Sequence, residues 1–443
     1  MRAPAATGVD LESCVKRQPK TDTLFLRIRG HRLIELVLLS ILALVGCSGG
    51  SEDSADALRS RLDKLRSVPY STVTDEAASG DTVGVIVYDR ARACPGYNLY
   101  VSWTEPEASL IAMDGTVVHK WFDKEERPGS WHHAIVLDDG GLALIVRYRE
   151  VRLLDWGSDT IWKTRVAAHH EITMGRDSTF YVAARELKQY RGLNVRFAAI
   201  VRISPDGRII SRWSTYDYLE EIKRKFDQEA FLDTILDSLE TREMSAAQLD
   251  SFEMRVEVKQ EMGKDIYDYF HLNTISIVPV TPLAGTDPRF DPGNLLICFR
   301  NVNQIAILDE QTMDILWVWG QGELQWPHHP TMLHNGNILV YDNGVDRGYS
   351  RILELDPRSE SIVWEYVADP PGDFYSRFKG SCQRLPNGNT LICESERGRC
   401  FEVTLDGDIV WEWINPAVKK GQRVQVYRMM RYYPEQIEPL LGG

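Results

Sequence analysis

The sequence predicts an all-β fold made of six like units, and three observations carry that expectation. First, one motif recurs six times: an apolar strand ending in Asp, a short turn, and a strand bearing Trp. It runs from Asp114-Gly115 to Trp121, Asp155 to Trp162, Asp206-Gly207 to Trp213, Asp309 to Trp317, Asp356 to Trp364 and Asp406-Gly407 to Trp411. Second, a hairpin precedes most of these motifs, as in residues 331–340 around Asn335-Gly336 and 383–392 around Asn387-Gly388. Asp, Asn and Gly supply the turns, and the alternating apolar residues fit strands. Third, motif and hairpin together make four short strands per unit, repeating every ~40–50 residues. That period with four strands is the signature of a β-propeller, here a six-bladed β-propeller. The six Trp then fill the gaps between blades at equivalent positions.

In chain order, the N-terminus comes first. Arg27, Arg29 and Arg32 precede an apolar run from Leu36 to Val45 that ends in Leu44-Val45-Gly46-Cys47. A basic stretch, a short apolar run and a small residue before cysteine describe a bacterial lipoprotein signal, with Cys47 as the lipidated residue. The run is too short for a membrane span. Residues 1–47 are thus expected as leader and lipoprotein signal peptide. Residues 48–80, rich in Ser, Asp, Glu and Ala, are expected as a flexible tether. The protein would then be lipid-anchored in the cell envelope. The propeller is expected over 81–433. Between its third and fourth blades the Asp206–Asp309 spacing is double the usual one. The excess carries Leu219, Ile222, Phe226, Phe231, Leu232, Ile235, Leu236 and Leu239 near helical spacing. This helical insertion, 217–268, leads directly into His271 and is expected to cap one mouth of the axis. Cys382 and Cys393 flank the Asn387-Gly388 turn and are expected opposite each other, as a disulfide or as two buried thiols.

The formal net charge of -13 argues against a nucleic-acid partner, since phosphate binding needs a basic surface. No phosphate-binding GxxxxGK[ST] loop and no CxxC pair occurs, which weakens nucleotide-dependent and zinc-ribbon chemistry.

The histidines point to a site. The chain has only ten, and six of them form the pairs His132-His133, His169-His170 and His328-His329. Aligned on their hairpin turns, His133, His170, His329 and Ser381 fall in one slot, and His271 opens the matching strand of blade four. In a propeller the first strand of each blade lines the axis, so these side chains should converge. Burying several imidazoles together is costly without a task. Two tasks are open: metal binding, or acid–base and nucleophilic chemistry on an anion. Arg300, after the apolar strand of blade four, would place a fixed cation beside the imidazoles and favour a sulfate or phosphate. A non-catalytic propeller binding a ligand or protein partner at the cell surface is the alternative.

Residues 96–100, 110–121, 336–344, 399–403 and 410–413 together resemble the bacterial arylsulfotransferases, over roughly Val83 to Tyr433. The resemblance implies a nucleotide-independent sulfotransferase that moves sulfate from an aryl sulfate ester to a phenol through a sulfohistidine. It implies His329 as the nucleophile, with His328 where the family usually has Gln. It further implies His271 as acid and base, and Arg300 and His170 as holders of the sulfuryl oxygens. His133, His328 and Asn273 are expected to bind substrate. Neither a cofactor nor a metal is required. The partners implied are the aryl sulfate, the phenol and the lipid anchor; the oligomeric state is left open.

Overall fold

The computed structural model describes residues 73–77, 82–227, 257–261 and 264–442. Among them the protein is nearly all strand, with two α-helices, Leu219–Lys225 and Pro434–Leu441. Six sheets of four or more strands, antiparallel apart from one parallel pair in the third, follow one another along the chain, beside one smaller three-stranded sheet. The second runs Trp131–Val136, Leu142–Val146, Glu150–Leu154, Thr160–Arg165, each strand paired to the next. The third begins Ala168–Met174, Phe180–Tyr190, Leu193–Ile203, Ile209–Ser214; the fourth is Leu272–Ile277, Leu295–Phe299, Gln304–Leu308, Ile315–Trp319. The fifth is His328–Met332, Ile338–Asp342, Arg351–Asp356, Ser361–Tyr366, and the sixth is Ser381–Arg384, Thr390–Glu394, Arg399–Val403, Ile409–Ile414. The first sheet draws on both ends of the chain, since Met429–Tyr432 forms its inner edge beside Tyr97–Val101, Glu107–Ala112 and Val117–Phe122. Reciprocally, Gly84–Tyr88 adds an outer strand to the sixth sheet by pairing with Ile409–Ile414.

Middle strands such as Leu142–Val146, Leu295–Phe299 and Ile338–Asp342 are buried at every residue. A strand with no polar face must be covered on both sides, and each sheet is covered by its neighbours. One apolar cluster joins the second sheet to the third, another the third to the fourth, and so on along the chain. A further cluster packs Ile111 and Met113 of the first sheet against Cys393, Cys400 and Trp411 of the sixth. The six motif Trp all lie on the fourth strand of their own sheet. Trp162, Trp317, Trp364 and Trp411 share one register, next to a bulge on their own strand. Trp121 and Trp213 sit two residues further along, with His119 and Ser211 in the equivalent place. A shift of two keeps the side chain on the same face, so the equivalence expected for all six holds in register for four. Three of these indoles reach the next sheet: Trp162 Nε1 donates to the Pro205 carbonyl (2.9 Å), Trp364 to Leu405 (3.0 Å) and Trp411 to Met113 (2.8 Å).

Three expectations need correction. The stretch 217–268 is not uniformly helical or a mere cap. It opens with helix Leu219–Lys225, whose Leu219 and Ile222, with Phe226 just beyond, are buried in the cluster holding Trp213, Phe270 and Phe299. It closes with strands Glu257–Glu261 and Lys264–Asp268, the latter pairing in parallel with Leu193–Ile203 of the third sheet. Residues 228–256 lie outside the described residues. The tether is not wholly unstructured: Val73–Ala77 pairs with Gln422–Val424, and Val73 packs against the buried Trp103, Val424 and Tyr427. Finally, Cys382 and Cys393 are not opposed. Cys393 faces Ser381 and, on its other side, Cys400, whereas Cys382 faces Ile392. A one-residue offset turns side chains to opposite faces, so the two thiols enter different core clusters and both are free. Cys47 and the leader lie outside the described residues, and no described helix is long and apolar enough to cross a membrane.

Candidate active site

The inner-edge strands of sheets two to six pack in succession on one another, and that of the sixth packs on Met429–Tyr432. Near their starts, four of these strands lose register with their partners: between Trp131 and Ala134, Ala168 and Ile172, Leu272 and Thr274, and His328 and Thr331. A bulge breaks the strict alternation of faces and re-aims side chains. That is how two consecutive histidines can both be buried: His132, His133, His169, His170, His328 and His329 all are, as is His271. His170, His271 and His329 have φ of +62°, +54° and +48°, the left-handed region that costs a non-glycine residue energy and concentrates at functional sites.

The rings of His132, His169, His170 and His271 meet in one network. His170 lies 5.1 Å from His132, 4.7 Å from His169 and 4.9 Å from His271, centroid to centroid. The Tyr427 hydroxyl is 3.1 Å from His170 Nδ1, and the Tyr427 ring is 4.2 Å from that of His132. The neighbouring Arg428 donates to both oxygens of Glu171 (2.9 and 2.8 Å), and its Nη1 is 3.2 Å from His133 Nε2. His271 Nδ1 is 3.0 Å from Asp268 Oδ2. His328 Nδ1 is 2.7 Å from Asn343 Oδ1. Because Asn343 Nδ2 donates to the Ser376 and Lys379 carbonyls, Oδ1 is an acceptor and His328 Nδ1 carries the proton. His329 Nδ1 has two backbone neighbours, the Cys382 carbonyl at 2.8 Å and the Cys382 N–H at 3.4 Å. The shorter contact decides the tautomer: Nδ1–H donates to the carbonyl and the lone pair is on Nε2.

Burial keeps the imidazoles of His132, His133, His169, His170, His328 and His329 neutral. It pushes His132, His169, His170 and His328 well below the ordinary imidazole range, and nearby cations add to this at His132 (Arg147) and His328 (Arg300). Burial, then Arg428, lower His133 and take His329 to about 3. Arg300, itself buried, stacks over Trp326 at 4.5 Å and donates from Nε to Asn301. His329 also lines a cavity of about 740 Å³ between the fifth and sixth sheets, shared with Met332, Leu385, Met430 and Tyr433. Among the described residues no group of three His, Cys, Asp or Glu is arranged to hold a metal ion.

Of the residues expected from sequence, His170 and His271 are in mutual contact, while His328 lies close enough to Arg300, and His329 to Arg428 and Glu171, to feel their charge. His133 is held between Arg428 and Glu171 rather than beside His271. Asn273 is placed as a clamp: Nδ2 donates to the Pro327 carbonyl (2.8 Å) and Oδ1 accepts from Thr274, whose oxygen takes the His329 N–H. It sets the backbone of the His328-His329 pair. Sequence reasoning missed Glu171, Asp268, Tyr427 and Arg428. Glu171 directly follows His169-His170 and was open to notice. Tyr427 contacts a residue 257 positions away, for which no local signal exists.

Fold and site together define an all-β stack of sheets with a cluster of buried histidines at its inner strands. The family model described as Arylsulfotransferase (ASST) matches residues 133–416, well over half the chain. The protein belongs to the arylsulfotransferase family, a family of sulfotransferase enzymes. No curated protein matches significantly. Among solved structures, the chain is similar to a protein of unknown function from Bacteroides caccae (TM-score 0.45, 12% identity, 76% of this chain and 99% of that one). It is also similar to a streptogramin B lyase (TM-score 0.43, 11% identity, 83% and 95%) and to a catalytically inactive virginiamycin B lyase from Staphylococcus aureus with quinupristin (TM-score 0.41, 12% identity, 75% and 88%). Likenesses of that size carry no functional argument.

Proposed function

We propose that the six sheets are the blades of a closed six-bladed propeller, and that the chain transfers sulfate from an aryl sulfate ester to a phenol through a sulfohistidine at His329. The observation that carries the reading is the state of His329: buried, neutral, with Nδ1–H held by the Cys382 carbonyl and the lone pair left on Nε2. A neutral imidazole so oriented is a competent nucleophile. The contact of sixth sheet with first through Trp411 and Met113 supports closure.

In the first half-reaction His329 Nε2 attacks sulfur, the S–O bond to the arene breaks, and the bonding pair leaves on the phenolate oxygen, which takes a proton from His271. In the second, an acceptor phenol loses its proton to His271 as its oxygen attacks the same sulfur, and the S–N pair returns to His329. Positive charge that develops on the sulfated ring is eased by the Cys382 carbonyl. Arg300 and His170 hold the sulfuryl oxygens, so catalysis is mostly positioning and charge stabilisation, as in phosphoryl transfer. The cavity beside His329, with its methionines and Tyr433, suits an arene. His133 and His328 complete the substrate pocket. We further propose that Cys47 carries a lipid that tethers the enzyme to the cell envelope.

The test is transfer from 4-nitrophenyl sulfate, followed by colour. Release of 4-nitrophenolate that depends on an added phenol supports the reading. Release that is independent of acceptor, or none at all, refutes it.

A further inference from the structure

The imidazoles of the cluster do not rest on equivalent partners. His329 Nδ1 faces a backbone carbonyl, His328 Nδ1 an amide and a carbonyl, and His170 Nδ1 a tyrosine hydroxyl. His132 Nδ1 accepts the His170 backbone N–H. The Glu171 carboxylate near His133 Nε2 (3.3 Å) makes its shorter contacts, 2.9 and 2.8 Å, to Arg428. His271 alone in this set has its Nδ1 against a carboxylate, Asp268 at 3.0 Å. A neutral partner fixes a ring; a carboxylate also stabilises the ring when it carries a second proton.

Asp268 is held as firmly as its partner. It is buried, it closes the strand Lys264–Asp268, and that strand pairs Asp268 with Arg196, whose Nη1 is 3.3 Å from Oδ2. Asn301 donates to the Asp268 carbonyl (2.6 Å) and accepts from Arg300 Nε. The carboxylate, the arginine and the imidazole are therefore one rigid unit. The strand belongs to the segment inserted between the third and fourth sheets, so the insertion delivers a working group to the site.

We infer that Asp268 is the positioning residue that makes His271, and not its neighbours, the proton carrier of the transfer. It directs Nδ1–H toward itself and so aims Nε2 at the phenol oxygen. It also balances the imidazolium that must exist before the leaving phenolate is protonated and after the acceptor phenol is deprotonated. Arg196, 3.3 Å from Oδ2, is a fixed cation beside the pair, and the carboxylate stands between it and the imidazole.

The inference rests on the sulfuryl-transfer reading, and the experiment separates the two. Asp268→Asn keeps the shape and removes the charge. It is assayed beside the wild type with two donors and one acceptor, and the quantity read is kcat/KM for the donor, which in a ping-pong cycle reports the first half-reaction alone. 4-Nitrophenyl sulfate releases a stable phenolate; phenyl sulfate releases one that needs a proton. General acid catalysis is worth ~10²–10⁴-fold, and most where the leaving group is basic. The variant should lose about 100-fold on phenyl sulfate and less than about fivefold on 4-nitrophenyl sulfate, with Asp268→Glu recovering part of the difference. Equal slowing on both donors, as a loss of packing would give, overturns the inference, and so does no slowing. If Asp268→Asn does not fold, the same donor ratio is read on Asp268→Glu, and an unchanged ratio overturns it there. A wild type inactive on both donors sinks the transfer reading itself.

Discussion

Acidification should unfold this protein in a pH range where its carboxylates do not yet titrate. His132, His169, His170, His328 and His329 are all held neutral by burial in the folded state, His329 down to about 3. In the unfolded chain each returns to an ordinary imidazole near pH 6.5. Below that pH the unfolded state binds more protons than the folded one, so stability falls as pH falls. At pH 5.5 each group costs about 1.4 kcal/mol, and the five together about 7 kcal/mol. That is comparable to the whole net stability of a domain, about 5–15 kcal/mol. The buried carboxylate Glu171 is lowered by Arg428 and His133, against its burial, so its contribution is lost only at more acid pH. The assay is urea unfolding followed by the fluorescence of the twelve Trp, at steps from pH 8 to 5.5. The midpoint should hold above pH 7 and fall steeply below 6.5. An unfolding free energy that changes by less than about 1 kcal/mol between pH 7 and 5.5 would mean that the imidazoles are already solvated or charged in the fold, and the reasoning would be wrong.

Three further outcomes follow from the site and the leader. Incubation with an aryl sulfate alone should add one sulfuryl group to the peptide containing His329, seen by mass spectrometry, and His329→Ala should abolish label and turnover; normal turnover without label would mean direct transfer. Arg300→Lys should lower kcat/KM by about 10–100-fold, because a point charge cannot reproduce a planar two-donor grip; unchanged kinetics would remove Arg300 from the site. Cys47→Ala should release the protein from membranes on fractionation, and a variant still bound would refute the lipid anchor.

What the sequence by itself determined was periodic. The Asp-turn-Trp motif marked all six sheets and their order, because turn chemistry and strand alternation are local properties written every few residues. The paired histidines marked the inner strands for the same reason: repeats place equivalent residues in equivalent slots. The content of the insertion was not legible, since the strand Lys264–Asp268 forms by pairing with Glu257–Glu261 and, in parallel, with the distant Leu193–Ile203. The Cys382–Cys393 arrangement failed on a one-residue register, which no spacing count resolves. Only the tertiary structure decided which imidazole nitrogen is protonated, because that depends on Cys382, Asn343 and Asp268 as hydrogen-bond partners. Only it brought Tyr427 and Arg428, from the last inner strand's approach, against His170 and Glu171. A residue's type is local, whereas its protonation and its partner belong to whatever distant chain the packing of sheet on sheet brings beside it.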